Sequence, residues 1–499
     1  MTAPIDARTL PSGTVLTPDL AIIGGGPAGI SLALALANTK LNILLLESGG
    51  ENFDPANQKM YAGDADGVHY TALDAGRLRF LGGSTNHWGG WCRPLDAIDF
   101  EKRDWIPHSG WPMSRKSLEG YYQHAQKLVE AGPWIYDKAD AIIAAKGELL
   151  PLGDGGIYTS WFQFSKTRDS DLPTYFGHRY EDDLKRSRVK VLLNANVTGI
   201  RLAPDAKRVE RLDGATLNGK SFTVKPRFTV LACGGMENVR LLLASNDVMT
   251  AGIGNQNDLV GRFFGDNPTP RDVGTMVVFS GALAPYYNNT MQMGDGPVMR
   301  ATFSPTGDFC RAKKVAGSLT TVEQPVELDE TGKAAVITTA LALGVDASSA
   351  KAYSIGCGME LLPDPDRRLT LTGEKDALGL PRLKLHMTMA EADFTLYRKT
   401  LQELGRQLLA SKTGMLRLNF DKREEWSKTM DWGNHHLGTT RMHADPGQGV
   451  VDANQMVHGI GNLYVAGSSV FPTYGSSNPT LNLLALTLRL ADHLKKATA

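Results

Sequence analysis

The sequence predicts an α/β protein in which several separate chain segments build one parallel sheet, while a second domain carries an antiparallel sheet backed by helices. Three observations support this fold class. A strand, a glycine-rich turn, a helix and a second strand open the chain, and similar strand-turn-helix patterns return in the middle and at the end. Between them lies a long region of β-type alternation. A chain of 499 residues also exceeds the size at which one core usually stops growing.

The opening unit is defined by its apolar pattern. Leu20 to Ile23 and Leu41 to Leu46 are short apolar runs typical of buried strands. Ile30 to Ala37 is rich in Ala and Leu and predicts the helix between them. The order predicts one βαβ unit with parallel strands.

The turn inside this unit reads GGGPAG and places Gly24, Gly26 and Gly29 in the G-x-G-x-x-G pattern. In that pattern the first glycine allows the tight turn, the second lets the backbone approach a pyrophosphate, and the third allows close helix packing. Glu47 ends the second strand, where its carboxylate is placed to accept hydrogen bonds from an adenosine ribose. A Rossmann-like dinucleotide-binding domain is predicted, although this motif alone does not separate NAD from FAD.

The later elements follow the same reasoning. Val189 to Leu202 alternates like a pair of strands, and PRFTVLACGGMENVRLLLAS predicts a strand, a glycine turn and a helix. GNLYVAGSSVFPT followed by LNLLALTLRLADHL repeats that order near the end. In the intervening region, β-type runs are predicted at GTMVVFSG, AAVITTALAL, RRLTLTG and RLKLHMTM, and an amphipathic helix at Ala390 to Ser411. The dinucleotide-binding domain is therefore predicted over 1–100, 186–269 and 431–499, with a cap or connecting segment over 101–185 and a second domain over 270–430.

The composition of the chain limits the classes of partner and of metal or disulfide site that it can be expected to have. Lys plus Arg and Asp plus Glu both total 53, so the formal net charge is zero, which argues against nucleic acid or acidic membrane surfaces as partners. The four cysteines are scattered and form no CxxC pair, so no zinc site or disulfide scaffold is predicted. We find neither a signal-peptide pattern nor a run of apolar residues long enough to span a membrane, and we expect a cytoplasmic protein.

Three further stretches make the chain resemble the glucose-methanol-choline (GMC) oxidoreductases, in the family's order. LVGRFFGDNP, with VLACGGMENVRLLLAS before it, resembles the segment that flanks the flavin, and MELLPDPDRRLTL resembles the strand entering the substrate-domain sheet. The C-terminal region carries H-x-x-G-T-x-x-M, then NLYVAGSSVFP, then NPT before the closing helix. The resemblance implies an FAD-dependent enzyme that oxidises a CH-OH group by hydride transfer to flavin N5. It also assigns substrate binding to 270–430 and part of 101–185.

The resemblance implies roles residue by residue. His435 begins H-x-x-G-T and matches the active-site histidine, and Asn478 matches the second active-site position. Gly467 and Ser468 match the strand end at the flavin diphosphate. The remaining matches are cofactor contacts: Asn478, Pro479 and Thr480 at the start of the helix that approaches the flavin ring, and Val197, whose backbone meets the adenine.

The chemistry asks for such a pair independently. Loss of a hydride from an alcohol carbon requires that the hydroxyl proton leave, so a neutral imidazole within reach is a suitable acceptor. A second group must hold the alcohol oxygen in line, and an amide does this without titrating. His435 as base and Asn478 as positioning group suit these tasks. Asn478 is also a good residue for capping a helix, and the two roles are compatible.

The stretch LGGSTNHWGG carries little that could pack into a core. In the family it runs past the flavin ring and diphosphate, so Gly82, Gly83, Asn86 and His87 are predicted to contact the cofactor. In pyranose oxidases, which have S-T-H-W here, a histidine at this place bonds covalently to the flavin. Other dehydrogenases of the family with similar stretches need not. A covalent and a non-covalent His87 are both consistent with the sequence.

The sequence leaves the substrate, the reaction type and the electron acceptor open to alternatives. The pairing of His435 with Asn478, together with STNHW, resembles pyranose oxidases and bacterial sugar dehydrogenases, so a sugar, glycoside or polyol is the expected substrate. An aryl or aliphatic alcohol is the alternative, and a hydroxynitrile lyase-type flavoprotein is a non-redox rival. The electron acceptor is dioxygen, or a quinone or cytochrome partner. His436 is expected to be structural, no metal site is predicted, and no function is assigned to Asn267, where many family members have histidine.

Overall fold

The structure is a computed structural model that describes residues 3–145, 147–166, 172–419, 425 and 430–498. Residues 1–2, 146, 167–171, 420–424, 426–429 and 499, which the predicted segments include, lie outside this set. In the described part of the chain, no helix is long and apolar enough to cross a membrane.

The strands, numbered in chain order, are β1 (Ile5–Asp6), β2 (Thr14–Leu16), β3 (Leu20–Ile23), β4 (Ile43–Leu46), β5 (Asp64–Gly67), β6 (Trp91–Cys92), β7 (Ile157–Phe164), β8 (Lys190–Leu193), β9 (Asn196–Leu202), β10 (Val209–Ala215), β11 (Ser221–Val224), β12 (Phe228–Leu231), β13 (Gly274–Val278), β14 (Met291–Gln292), β15 (Val298–Pro305), β16 (Ser318–Val326), β17 (Lys351–Met359), β18 (Arg368–Lys375), β19 (Pro381–Met387), β20 (Gly414–Leu418) and β21 (Leu463–Val465).

The α-helices of the described residues are α1 (Pro27–Leu36), α2 (Pro55–Gln58), α3 (Ala97–Phe100), α4 (Glu119–Leu128), α5 (Lys138–Ala145), α6 (Phe176–Arg179), α7 (Glu181–Arg186), α8 (Gly234–Ala244), α9 (Gly307–Lys313), α10 (Glu330–Leu343), α11 (Glu391–Ala410) and α12 (Pro479–Ala497).

A six-stranded parallel sheet organises the molecule, in the order β1-β8-β4-β3-β12-β21. Its central strands are fully buried runs, as parallel strands covered by helices must be. The closing helix α12 packs against both α1 and α4. Because strands from the start, middle and end of the chain lie side by side, their carboxyl ends meet at one edge.

An eight-stranded antiparallel sheet forms the second layer system, in the order β20-β13-β17-β16-β15-β7-β6, with β14 added beside β15. The amphipathic helix α11 packs against three strands of this sheet, β7, β16 and β20. In the chain, β7 lies between β4 and β8 of the parallel sheet. The chain therefore leaves the parallel sheet for the eight-stranded sheet and returns to it more than once.

Three local predictions are wrong. The first concerns Val189 to Leu202, whose two strands do not pair: β8 joins the parallel sheet, whereas β9 joins a four-stranded sheet in the order β2-β11-β10-β9. Asn194, between them, adopts φ +54. Its N–H donates to the carbonyl of Gly49 at 2.8 Å, and this turn diverts the chain into the other sheet.

The second concerns AAVITTALAL, which forms α10 and not a strand. Asp329 caps its N-terminus by accepting from the N–H of Gly332, and Gly344 ends it at φ +67. Val336 and Ala340 face the core, one turn apart, so capping and packing outweigh the β propensity of this run.

The third concerns RRLTLTG and RLKLHMTM. Their strands, β18 and β19, do not enter the eight-stranded sheet but form a separate three-stranded sheet with β5. The long strand β17 ends at Met359, and the chain leaves the eight-stranded sheet before the PDPD stretch. Proline restricts the residue before it and ends regular pairing there.

Candidate active site

One cavity of about 1110 Å³ is bounded by the carboxyl ends of the parallel strands and by residues of the eight-stranded sheet. Ligands of open parallel sheets bind at this edge of the strands. Twelve of the predicted site residues line the cavity: Gly24, Gly26, Glu47, Gly83, His87, Val197, His435, Gly467, Ser468, Asn478, Pro479 and Thr480.

The glycine turn owes its shape to two close approaches. Gly24 has φ +110, and a Cβ there would lie 2.5 Å from the carbonyl oxygen of Ala232. A Cβ on Gly29 would lie 1.9 Å from the carbonyl oxygen of Gly24, so Gly29 allows α1 to pack onto the turn without lining the cavity itself. Around Gly26 a Cβ would meet no atom within 4 Å. That position borders open space at the helix N-terminus, where a phosphate is favoured.

Glu47 braces the same turn. Its Oε2 accepts from the N–H of Gly25 at 2.7 Å, and its Oε1 accepts from the N–H of Gly49 at 2.8 Å. Burial raises the pKa of Glu47, partly offset by these two N–H donors. The predicted contact with a ribose is compatible with this position on the cavity wall and stays a prediction.

Two predicted residues shape the glycine-rich stretch from behind the cavity. Gly82 has φ +97, and a Cβ there would collide with the backbone N of Gly177 at 2.6 Å. Asn86 donates from Nδ2 to the carbonyl of Leu81 at 3.0 Å. Both residues therefore stabilise the loop that presents Gly83 and His87 to the cavity.

His435 is held on the cavity wall by its backbone and by both of its ring nitrogens. Its backbone N–H donates to Oδ1 of Asp266 at 2.9 Å, and its ring nitrogens face two amides. Nδ1 lies 2.8 Å from Oδ1 of Asn267, and Nε2 lies 3.1 Å from Nδ2 of Asn478. Burial lowers the pKa of His435 to about 4, so the imidazole is neutral at neutral pH.

Asn478 occupies the N-cap position of α12, but its side chain makes no capping hydrogen bond. The side chain is instead directed to His435. One turn further, Asn482 holds the start of the helix: it donates from Nδ2 to the backbone carbonyls of Asn478 and Arg93, both at 3.0 Å. The position of Asn478 is therefore fixed by the helix and not by its own cap.

Sequence reasoning missed Asn267 and Asp266. The segment that contains them pairs with the segment of His435 through an antiparallel bridge between Gly265 and Leu437. Asp266 also accepts from the hydroxyl of Tyr70 at 2.5 Å, and burial raises its pKa to about 7. The only local signal was the Asn-Pro step, which predicts extended backbone but not a partner.

Two further histidines line the cavity. His87 makes no hydrogen bond through its ring within the described residues, and burial lowers its pKa. Burial lowers the pKa of His436 to about 3, and its ring packs 6.0 Å from that of Phe264. Its carbonyl accepts from the hydroxyl of Ser468 at 2.9 Å, which ties the two strand ends together.

The sheet side of the cavity is polar. It includes Thr321, Glu323, Gln324 and Arg300. Arg300 donates from Nη2 to the carbonyl of Val322 at 2.7 Å and to Oε2 of Glu323 at 3.2 Å. Trp88 and Trp91 also border the cavity.

The residues present fit FAD. The volume exceeds that of an ordinary small-molecule pocket. At Gly26, Gly234 and Gly467 an added Cβ would meet no atom within 4 Å, so bare backbone borders open cavity at the ends of three different strand-turn segments. An extended dinucleotide requires such a bare surface for its pyrophosphate.

Two regions of the chain match known family models, and curated relatives match most of its length. Residues 363–487 match the family model described as GMC oxidoreductase, and residues 19–252 match the one described as FAD dependent oxidoreductase. The chain is 24% identical to the fructose dehydrogenase large subunit of Gluconobacter japonicus, over 96% of this chain and 98% of the relative. It is 25% identical to the 6'''-hydroxyparomomycin C oxidase of Streptomyces lividus, over 95% and 92%.

Solved structures share the fold. The pyridoxine 4-oxidase from Mesorbium loti superposes with a TM-score of 0.58 at 19% identity, covering 96% of this chain and 99% of that one. A formate oxidase gives a TM-score of 0.56 at 14% identity, covering 98% and 99%.

The parallel sheet, the phosphate-binding turn and the cavity define a dinucleotide-binding protein, and the match to the FAD dependent oxidoreductase model makes it a flavin-dependent oxidoreductase. The chain thus combines a GMC oxidoreductase domain near its C-terminal side with an FAD dependent oxidoreductase domain near its N-terminal side. It is an enzyme that uses FAD to oxidise CH-OH groups.

Proposed function

We propose that the enzyme oxidises a CH-OH carbon of a sugar, glycoside or similar polyol, with His435 as general base and Asn478 as the group that positions the hydroxyl. The observation that carries this proposal is the contact between Nε2 of His435 and Nδ2 of Asn478 on the wall of a large cavity that also carries polar side chains. FAD, when bound, accepts the hydride from the substrate carbon.

The chain's own residues move the proton. Because His435 is neutral, an unprotonated ring nitrogen is available to take the hydroxyl proton of a bound alcohol. Asn478 offers an amide N–H beside that nitrogen, and a substrate oxygen that replaced or shared this contact would be held next to the base. FAD is proposed to bind to these residues of the cavity wall: Gly24, Gly26, Glu47, Gly83, Val197, Gly467, Ser468, Pro479 and Thr480.

The substrate class follows from the rest of the wall. Thr321, Glu323, Gln324 and Arg300 offer donors and acceptors that suit several hydroxyl groups, whereas an aryl alcohol would favour an apolar wall. Relatives carry names of the same chemistry, among them a C-glycoside 3-oxidase of Microbacterium trichothecenolyticum at 26% identity over 90% of this chain and 79% of the relative.

An anaerobic stopped-flow screen tests both proposals. Sugars, glycosides and polyols should bleach the flavin absorbance, and aryl alcohols should not. The His435→Ala variant should reduce flavin about 10²- to 10⁴-fold more slowly, which is the usual contribution of a general base. His386→Ala is the matched control, because His386 is an exposed histidine paired with Asp66 and does not line the cavity.

The outcomes separate the two parts. Wild-type rates in His435→Ala would refute the base assignment, and bleaching by aryl alcohols alone would refute the substrate class. Re-oxidation of the reduced enzyme then identifies the acceptor: we propose dioxygen or a quinone or cytochrome partner. Rapid re-oxidation in aerated buffer indicates an oxidase, and slow re-oxidation in air with rapid turnover on a quinone indicates a dehydrogenase.

A further inference from the structure

Asn267 has only one possible orientation. Its Nδ2 lies 2.7 Å from the backbone carbonyl oxygen of Met359 and 3.1 Å from that of Gly475. Carbonyl oxygens only accept, so the NH₂ group must face them. The Oδ1 atom therefore points the other way, to Nδ1 of His435 at 2.8 Å. The side chain is almost fully buried, with 3% of its surface exposed, so water does not offer it an alternative partner.

This orientation has a consequence for the histidine. Because Oδ1 of Asn267 can only accept, Nδ1 of His435 must carry the ring proton. In a neutral imidazole the other nitrogen, Nε2, then keeps its lone pair. Nδ2 of Asn478, 3.1 Å from Nε2, is a donor and matches that lone pair. Two backbone carbonyls thus determine which ring nitrogen faces the substrate side of the pair.

The backbone around Asn267 is held as firmly as its side chain. Its N–H donates to Oδ1 of Asp266 at 2.7 Å, and its carbonyl accepts from the N–H of Gly433 at 3.0 Å. The same Oδ1 of Asp266 accepts from the N–H of His435 at 2.9 Å. A single carboxylate oxygen therefore joins the backbones of the two residues whose side chains meet.

We propose that Asn267 is a positioning residue that keeps the proton of His435 on Nδ1 and so leaves Nε2 as the base. The inference rests on the proposed role of His435 in catalysis. It extends that role to a residue of the cavity wall that acts through the histidine ring.

Nitrogen-15 NMR of the holoenzyme with labelled histidine tests the proposal without relying on turnover. At neutral pH, His435 should show a protonated Nδ1 and an unprotonated Nε2, its signals being those that disappear in His435→Gln. In Asn267→Leu this pattern should give way to a substantial population of the Nε2–H form. In Asn267→Asp, which keeps an acceptor oxygen, the Nδ1–H pattern should persist. Asn267→Ala removes the same acceptor without bulk and replaces the leucine variant if that one does not fold.

Kinetics provide the second readout. Asn267→Leu should lower the limiting rate of flavin reduction by roughly 10- to 100-fold, as loss of an outer hydrogen-bond partner does at comparable sites, with little change in the substrate concentration for half-saturation. Asn462→Asp is the control: Asn462 also donates to two backbone carbonyls, those of Val209 and Arg227, but lies off the cavity wall.

The proposal is overturned if Asn267→Leu, or Asn267→Ala in its place, keeps the Nδ1–H pattern, or if Asn267→Asp loses it. An unchanged pattern in those variants beside an inactive His435→Ala would refute this inference alone. A fully active His435→Ala would refute the proposed function and leave the NMR result on Asn267 standing.

Discussion

Nδ2 of Asn478 lies 3.1 Å from Nε2 of His435, although the two residues are 43 positions apart and Asn478 belongs to the N-terminus of α12. The amide and the imidazole together form an edge of the cavity at which a hydroxyl would meet both a base and a hydrogen-bond donor. Replacing Asn478 alone tests the positioning of the substrate, and replacing His435 alone tests proton transfer.

Asn478→Leu should lower the limiting rate of flavin reduction by about 10²- to 10³-fold, the usual loss when a single oriented donor is removed from an active site. FAD content should stay close to wild type, because the helix start is held by Asn482 and not by Asn478 itself. Stopped-flow reduction gives the rate, and the ratio of flavin to protein absorbance gives the content. Asn52→Leu, at an exposed position off the cavity wall, is the control. A variant that reduces as fast as wild type would contradict the assigned role.

The acidic limb of activity should lie far below the ordinary histidine range. Burial lowers the pKa of His435 to about 4, so the neutral, reactive form persists as the pH falls below 6.5. We therefore expect kcat/KM to stay level down to about pH 5 and to fall as the pH nears 4. A histidine with an unperturbed pKa would place this fall near pH 6.5 instead. Between about pH 6.5 and pH 4, His435 binds a proton in the unfolded chain but not in the folded chain. The free energy of unfolding therefore also decreases as the pH falls. A kcat/KM profile with an acidic limb near 6.5 would contradict this assignment.

His87 should retain the flavin through a covalent bond. Its ring lines the cavity and makes no hydrogen bond within the described residues, so a ring nitrogen is free to bond, and desolvation lowers the pKa of the ring. After acid precipitation the yellow colour should stay with the pellet in wild type and pass to the supernatant in His87→Ala. His108→Ala, also a histidine with a pKa lowered by burial but off the cavity wall, should behave as wild type. A yellow supernatant from the wild-type protein would establish the non-covalent alternative.

A buried ion pair ties the segment that follows α3 to the residue that follows β17 of the eight-stranded sheet. Nη1 and Nη2 of Arg103 donate to the two carboxylate oxygens of Glu360 at 3.0 and 3.1 Å, and neither side chain exposes more than 1% of its surface. Glu360→Gln should lower the free energy of unfolding by about 3–5 kcal/mol, because it leaves a buried guanidinium without its countercharge.

The exposed pair of Arg311 with Glu101 provides the comparison for that change. Glu101→Gln should alter the free energy of unfolding by less than about 1 kcal/mol, the usual value for a solvated pair. Denaturant unfolding of both variants measures the difference. Equal effects in the two variants would show that the buried pair adds nothing beyond a surface one.

The parts of the site that follow one strand directly could be predicted from the sequence. Gly24, Glu47 and Gly467 each lie at or just beyond the end of a parallel strand, and their spacing in the chain carries that information locally. The contact of Asn267 with His435 could not, because it depends on an antiparallel bridge between segments far apart in sequence. Because position 267 holds asparagine where many family members have histidine, the sequence assigns no function to it. In the structure, the side chain of Asn267 contacts the ring of His435.

Fold errors have a related cause. The run AAVITTALAL has the composition of a strand, yet Asp329 and Gly344 at its two ends supply a cap and a stop that favour a helix. Likewise β18 and β19 alternate as strands should, but alternation does not say which sheet a strand joins. Register and partner are set by packing over long distances, which local patterns do not contain.

The cavity wall extends along the chain from Ile23 to Leu483, and Asn478 is supplied by one of its last segments. A ribosome releases these pieces in order, so the glycine turn emerges long before the amide that completes the His435 pair. A nascent chain can therefore fold the first strands early, yet it has no working site until α12 has docked against α1 and α4. The timing of activation therefore depends on the synthesis and docking of α12, and a chain halted before Asn478 would lack the amide beside the base.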